Sequence, residues 1–135
     1  MPLEPNDIRK FAIQYTQAWC ARSSKQVASC FSHDASSIIN DGEPARGRDA
    51  IAEAMQAFFA DFPDLVLHMD DIRSGGNKAI FLWTLEGTNS GPGGAGNAVK
   101  ISGWQNWRLS DELLITEADG GYDAEDYDRQ LGGAV

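Results

Sequence analysis

The stretch KAIFLWTLEGTNSGPGGAGNAVKISGWQNWRL, Lys78 to Leu109, alternates large apolar and polar side chains on both sides of a glycine-rich break. A period of two over so many residues predicts two long strands. Phe81, Trp83, Leu85, Gly87 and Asn89 share one face of the first; Ile101, Gly103, Gln105, Trp107 and Leu109 share one face of the second. The break GPGGAG, Gly91–Gly96, literally satisfies G-x-G-x-x-G. A dinucleotide-binding loop has to open a helix. Here a strand follows and Pro92 sits inside, so the segment reads as a hairpin loop.

Working outward, DLVLHMDDIRSGG (Asp64–Gly76) predicts a strand ending in a turn at Gly75-Gly76, and LLITEADGGYD (Leu113–Asp123) a last strand. Upstream the period changes to that of a helix. Ile8, Phe11, Ala12, Tyr15 and Trp19 make one apolar stripe, with Asn6 as candidate cap. SSKQVASCFS predicts a short second helix capped by Ser23 or Ser24. DASSIINDGEP predicts a strand running into a turn at Asp41-Gly42. RDAIAEAMQAFFADF predicts a third helix with Ile51, Met55, Phe58 and Phe62 on one side and Pro63 ending it. AEDYDRQLGG predicts a short closing helix. The order is that of an α+β plan, a curved antiparallel sheet with helices on one side. At 135 residues the chain fits one domain, residues 1–135.

Acids outnumber bases 20 to 11, a net charge of −9. That balance predicts no nucleic-acid partner, which needs a basic footprint, and no anionic membrane partner. No apolar run is long enough to span a bilayer. MPLEPNDIRK lacks the pattern of a secretory leader, so a cytoplasmic setting is expected. Cys20 and Cys30 read as small packing groups. With only His33 and His68 besides, no metal centre is predicted.

The last strand poses a chemical question. Glu117, Asp119 and Asp123 are two or four residues apart and so point to one side of an unbroken strand. If the inner face is Ile115, Glu117, Asp119 and Gly121, the acids enter the core side, where apolar walls and a neighbouring acid raise a carboxyl pKa toward neutrality. Such a group can act as general base and then general acid. The opposite register puts Ala118, Gly120 and Tyr122 inside and leaves the acids in water.

The whole succession, from about Ile8 to Leu131, resembles the nuclear transport factor 2-like superfamily, and within it the SnoaL-like and ketosteroid isomerase-like proteins. The resemblance is carried by AIQYTQAW, FSHDASSIINDGEPARGRDAI, WTLEGTNSGPGGAGNAVKISGWQNWRL and YDAEDYDRQLG. It implies a cystatin-like cone: the sheet wraps around three N-terminal helices and encloses an apolar pocket. It also implies a homodimer formed through the outer sheet face, where Trp104, Asn106 and Arg108 are expected.

The resemblance further nominates residues. Tyr15 stands where the isomerases place an oxyanion-hole tyrosine, and Gln105 where their second donor lies. Ile39, or Asn40 if the register slips by one, takes the place of their catalytic base, and neither can serve as one. Asp119 falls roughly where the polyketide cyclases of the group carry a working acid, and Asn89 where a histidine is common. The expected site therefore has Asp119, Glu117, Tyr15 and Gln105 as catalytic groups. Trp19, Ile39, Met55, Phe58, Trp83, Asn89 and Trp107 are the expected contacts of a small apolar ligand. Three functions follow. The first is cofactor-independent isomerisation or aldol-type cyclisation of an apolar carbonyl compound by carboxylate acid-base chemistry. The second is non-catalytic binding of such a compound. The third is an interaction module that works through its dimer surface.

Overall fold

The structure is a computed structural model that describes residues 3–132. Its elements run α1 (Pro5–Cys20), α2 (Ser24–Ser29), β1 (Phe31–Ile39), β2 (Ala45–Arg46), α3 (Gly47–Asp61), β3 (Val66–Gly75), β4 (Lys78–Asn89), β5 (Asn97–Leu109), β6 (Ile115–Tyr122) and α4 (Ala124–Gln130). The six strands form one sheet in the order β2-β1-β6-β5-β4-β3. The α+β cone expected from the sequence is present. Within it the sheet is mixed rather than wholly antiparallel: β1 runs parallel to β6, and the other four neighbouring pairs are antiparallel. Hairpins set the mutual direction of β3 to β6. Nothing local sets that of β1 and β6, which meet from opposite ends of the chain.

The helices lie on the concave side because their apolar stripes have to be covered. α1 packs against β3, and α3 against α2 and β1. All five residues of the α1 stripe are buried, each worth about 1.5–3 kcal/mol for the larger side chains. The start of α1 is two residues earlier than expected. Glu4 occupies the cap position and Pro5 the first turn, where its missing N–H costs nothing, so Asn6 is already helical. Ser23 caps α2 by accepting from Gln26 N at 3.2 Å. The β1–β2 turn is centred one residue earlier than predicted. Asn40 and Asp41 both adopt left-handed φ, 51° and 58°, as a tight primed turn requires.

The two strands of the opening stretch behave as read. Phe81, Leu85, Ile101, Trp107 and Leu109 are buried on the concave face, while Trp104 is exposed on the convex one. β6 does not continue the phase of its first residue. Arg108 pairs with Glu117 but Leu109 pairs with Ile115, so Thr116 is an extra residue. This bulge inverts the alternation: Ile115 faces in, then Ala118 and Gly120, with Tyr122 half-buried beyond them. A second bulge sets Asp70 outside the β3–β4 ladder, where it accepts from Thr84 Oγ1 at 2.5 Å.

α4 covers the part of β5 that β6 does not reach. The Gln130 side chain takes a strand's place there: its Oε1 accepts from Lys100 N at 2.6 Å and its Nε2 donates to Lys100 O at 2.9 Å. Among the described residues no helix is long and apolar enough to cross a membrane.

Candidate functional site

The inner cavity lies between α1, α3 and the concave face of the sheet. Glycine makes room for it. Gly103 on β5 is paired with Trp83 on β4 and Tyr122 on β6. A β-carbon at Gly103 would meet the Trp83 ring, so the indole lies flat over a position without a side chain. Trp83 then reaches Tyr122, ring centroids 6.2 Å apart. Gly120, paired with Gln105, leaves the space beside that side chain open, and its β-carbon would strike Trp104 O. The helices supply the rest: Tyr15 and Trp19 from α1, Met55 and Phe58 from α3. The enclosed volume is about 60 Å³. Drug-sized sites hold roughly 300–1,000 Å³, so any ligand beyond a few heavy atoms has to displace side chains.

Two polar side chains of this cavity, Tyr15 and Gln105, are joined to each other and to Trp107 behind them. Tyr15 Oη donates to Gln105 Oε1 at 3.0 Å, and Trp107 Nε1 donates to the same oxygen at 2.7 Å. Trp107 is buried behind the wall, stacked on Phe81 with centroids 5.0 Å apart and edge-on to Tyr15 at 5.1 Å. Burial pushes the Tyr15 hydroxyl well above the ordinary range; the Trp19 and Gln105 side chains pull against this without reversing it. Tyr15 is therefore a protonated donor at any physiological pH.

Tyr122 is raised chiefly by burial and further by Asp128; Tyr127 is pushed up to about 12, chiefly by burial and further by Tyr122, Asp61 and Asp128. All three tyrosines of the chain thus sit above their ordinary value of 10. The folded form holds phenolic protons that the unfolded form releases. The resulting stability is complete below pH 10 and is lost as pH rises through the folded values. An ultraviolet titration of phenolate is expected to show every native tyrosine ionising later than in urea, with unfolding easier above pH 10. A native tyrosine titrating at or below the urea value would contradict this.

The structure brings Tyr15, Gln105, Trp19, Ile39, Met55, Phe58 and Trp83 together around the cavity. Trp107 supports the wall from behind. Asn89 lies apart, at the loop end of the β4–β5 hairpin opposite Asn97, its carbonyl accepting from Gly96 N at 2.8 Å. Asp119 and Glu117 are corrections. Both are exposed on the convex face, because the Thr116 bulge turns the strand over. Glu117 pairs with Arg108 at 3.2 Å, side chains more than 60% exposed, and Asp119 is registered against Asn106. Both border an open groove of about 580 Å³ with Arg73, Lys78 and Ile80. The third acid, Asp123, caps α4 by accepting from Asp126 N at 3.1 Å. The row of carboxylates thus divides into a surface ion pair, a solvated acid and a helix cap.

Sequence reasoning missed Leu67 and the full role of Tyr122 as lining groups. The available signal was the pairing of a glycine, Gly103, opposite a tryptophan.

The sequence profile of the SnoaL-like domain matches residues 12–118, and the chain belongs to that family. Similar solved structures share its fold. One is a candidate SnoaL-like polyketide cyclase from Jannaschia sp. CCS1, 14% identical, with a TM-score of 0.86 over 100% of this chain and 99% of that one. A protein of ketosteroid isomerase-like fold from Catenulispora acidiphila DSM 44928, crystallised with trimethylamine, is 15% identical; TM-score 0.80, covering 91% and 92%. The epoxide hydrolase/cyclase-like enzyme SalBIII, of pyran ring formation in the polyether salinomycin, is also 15% identical; TM-score 0.80, covering 91% and 95%. At these identities the likeness is one of fold. No curated protein matches the sequence significantly.

Proposed function

We propose that this chain is a binding domain for a small, largely apolar compound bearing a hydrogen-bond acceptor, held in the cone without carboxylate acid-base chemistry. One observation carries the reading: among the described residues, those lining the cavity include no carboxylate, imidazole, amine or thiol. A cyclase or isomerase of the expected kind needs a base within hydrogen-bond reach of the proton it removes. The acids expected to supply it, Asp119 and Glu117, lie on the other side of the sheet. The remaining polar groups can orient an oxygen but not accept a proton from carbon at neutral pH. The relative crystallised with trimethylamine supports small-molecule binding by this fold.

The test is a titration of the protein with a panel of small cyclic ketones, read by tryptophan fluorescence and by turnover. Binding without turnover is expected. Asp119→Asn is expected to leave affinity within about twofold and stability within about 0.5 kcal/mol, as for a solvated surface group. Turnover that Asp119→Asn lowers by roughly 10²-fold or more would restore the catalytic reading.

The outer face fits a second copy of the chain. Ile80 and Trp104 are each 45% exposed there and stand on adjacent strands, with Leu82 opposite Trp104. Around them Arg73, Lys78 and Arg108 mix with Glu117 and Asp119. A face of both signs around an apolar centre suits pairing with itself. Sedimentation at tens of micromolar is expected to show a dimer that Trp104→Arg converts to monomer; a wild-type monomer at about 100 µM would refute it.

A further inference from the structure

The resemblance nominates Tyr15 as the donor to a bound oxygen, but its proton is already committed to Gln105 Oε1. The same oxygen accepts from Trp107 Nε1. An indole N–H only donates, so Gln105 has to turn its oxygen toward Trp107 and its –NH₂ away. Redirecting Tyr15 to a ligand would break a part-buried bond and leave the amide oxygen with one donor fewer. Gln105 Nε2 makes no hydrogen bond to any described residue, and its side chain lines the cavity.

Trp19 is in the opposite state. Its side chain lines the cavity, the residue is only 8% exposed, and its indole N–H is buried without a protein partner. It follows Tyr15 by four residues on the same helix face, so the two project to one place. Trp19 lies close enough to the Tyr15 hydroxyl to influence it, yet falls short of hydrogen-bond geometry. Buried polar groups in folded proteins are nearly always paired, and an exception beside a cavity points to a ligand atom.

We propose that Trp19 Nε1–H and Gln105 Nε2 together receive the acceptor atom of the ligand, and that Tyr15 is a positioning residue that holds Gln105 in its orientation. The inference rests on the binding reading above and names its ligand more closely. The class is a neutral carbonyl, ether or epoxide on a compact apolar frame. A carboxylate would bring full charge against a lining that holds no cation, and an ammonium would meet two N–H dipoles of the wrong sign.

The test uses two probes of the same shape, cyclohexanone and methylenecyclohexane, which differ in one acceptor atom. With ¹⁵N-labelled protein, cyclohexanone is expected to move the Trp19 indole N–H signal downfield in the wild-type chain, and methylenecyclohexane is not. Trp19→Phe is expected to weaken the ketone about 3- to 10-fold, the scale of one hydrogen bond, and the alkene less than about twofold. Tyr15→Phe is expected to reduce the preference for the ketone only in part, about two- to threefold, and to leave the ketone-induced Trp19 shift in place, because it loosens Gln105 rather than removing a ligand contact. If both probes bind but the wild-type Trp19 signal ignores the ketone, or if Tyr15→Phe alone abolishes the preference for the ketone, the donor assignment is wrong while the binding reading stands. If neither probe disturbs the Met55 methyl or the Trp83 indole signal, the binding reading fails and the assignment with it.

Discussion

Trp107→Ala is expected to destabilise the protein by about 3–5 kcal/mol, against a total stability of roughly 5–15 kcal/mol for a domain of this kind. Trp107 is 2% exposed and touches both layers of the core. It stacks on Phe81 with an interplanar angle of 14°, and sits edge-on to Tyr15 and, at 5.6 Å, to Phe11. Its removal leaves a void that α1 and β4 cannot both close, since each is held by other contacts. The loss has a chemical side too. Without the Trp107 N–H, only the Tyr15 hydroxyl, which can donate or accept, is left to orient the Gln105 amide. Trp107→Phe separates the two effects: it keeps most of the stack and deletes only the donor. That variant is expected to lose about 1–3 kcal/mol and to bind acceptor and non-acceptor probes with less distinction. Urea unfolding monitored by circular dichroism measures both. A loss below about 1 kcal/mol for Trp107→Ala would mean that the aromatic cluster is not the centre of the core.

How much of this was legible in the sequence depends on whether a local period survived in the structure. The stripe of α1 and the faces of β4 and β5 persist without interruption, and reading them located Tyr15, Trp19, Phe81, Gln105 and Trp107 relative to one cavity. The last strand defeated the same reasoning through one residue. Counting in twos from Ile115 leads to Asp119 inside; inserting Thr116 as a bulge leads to Asp119 outside. Thr116 is a good strand residue, with its hydroxyl donating to Arg108 O at 3.2 Å, and nothing in its type marks a bulge. The better signal lay further on. Gly120 has to be close to the backbone of β5, with its β-carbon position 3.0 Å from Gln105 Cα. Two adjacent glycines at the end of a strand thus indicated close approach more firmly than the acids indicated a site. Pairing between β1 and β6 was not legible at all, because the two strands lie at opposite ends of the sequence.

Gly103→Ala is expected to be the most damaging single-methyl change at the cavity, costing about 1–3 kcal/mol through overpacking and abolishing probe binding. The added β-carbon would press on two groups of different kinds, the Trp83 ring and the backbone carbonyl of Gly121. The ring can swing away, but only into the space where a ligand would lie or toward Tyr122. The carbonyl belongs to the β5–β6 ladder, where Gly103 pairs with Tyr122 and Trp104 with Gly121, so it can move only by opening that ladder. A double variant distinguishes the two. If the ring were the whole obstacle, Gly103→Ala combined with Trp83→Ala would be more stable than the sum of the single losses by most of the overpacking cost. Because the carbonyl remains, only part of that cost is expected to return, a coupling of about 0.5–1.5 kcal/mol in a double-mutant cycle. Full recovery of stability in the double variant would show that the ladder tolerates a side chain here. The cavity would then owe its shape to Trp83 alone, and not to glycine lying under it.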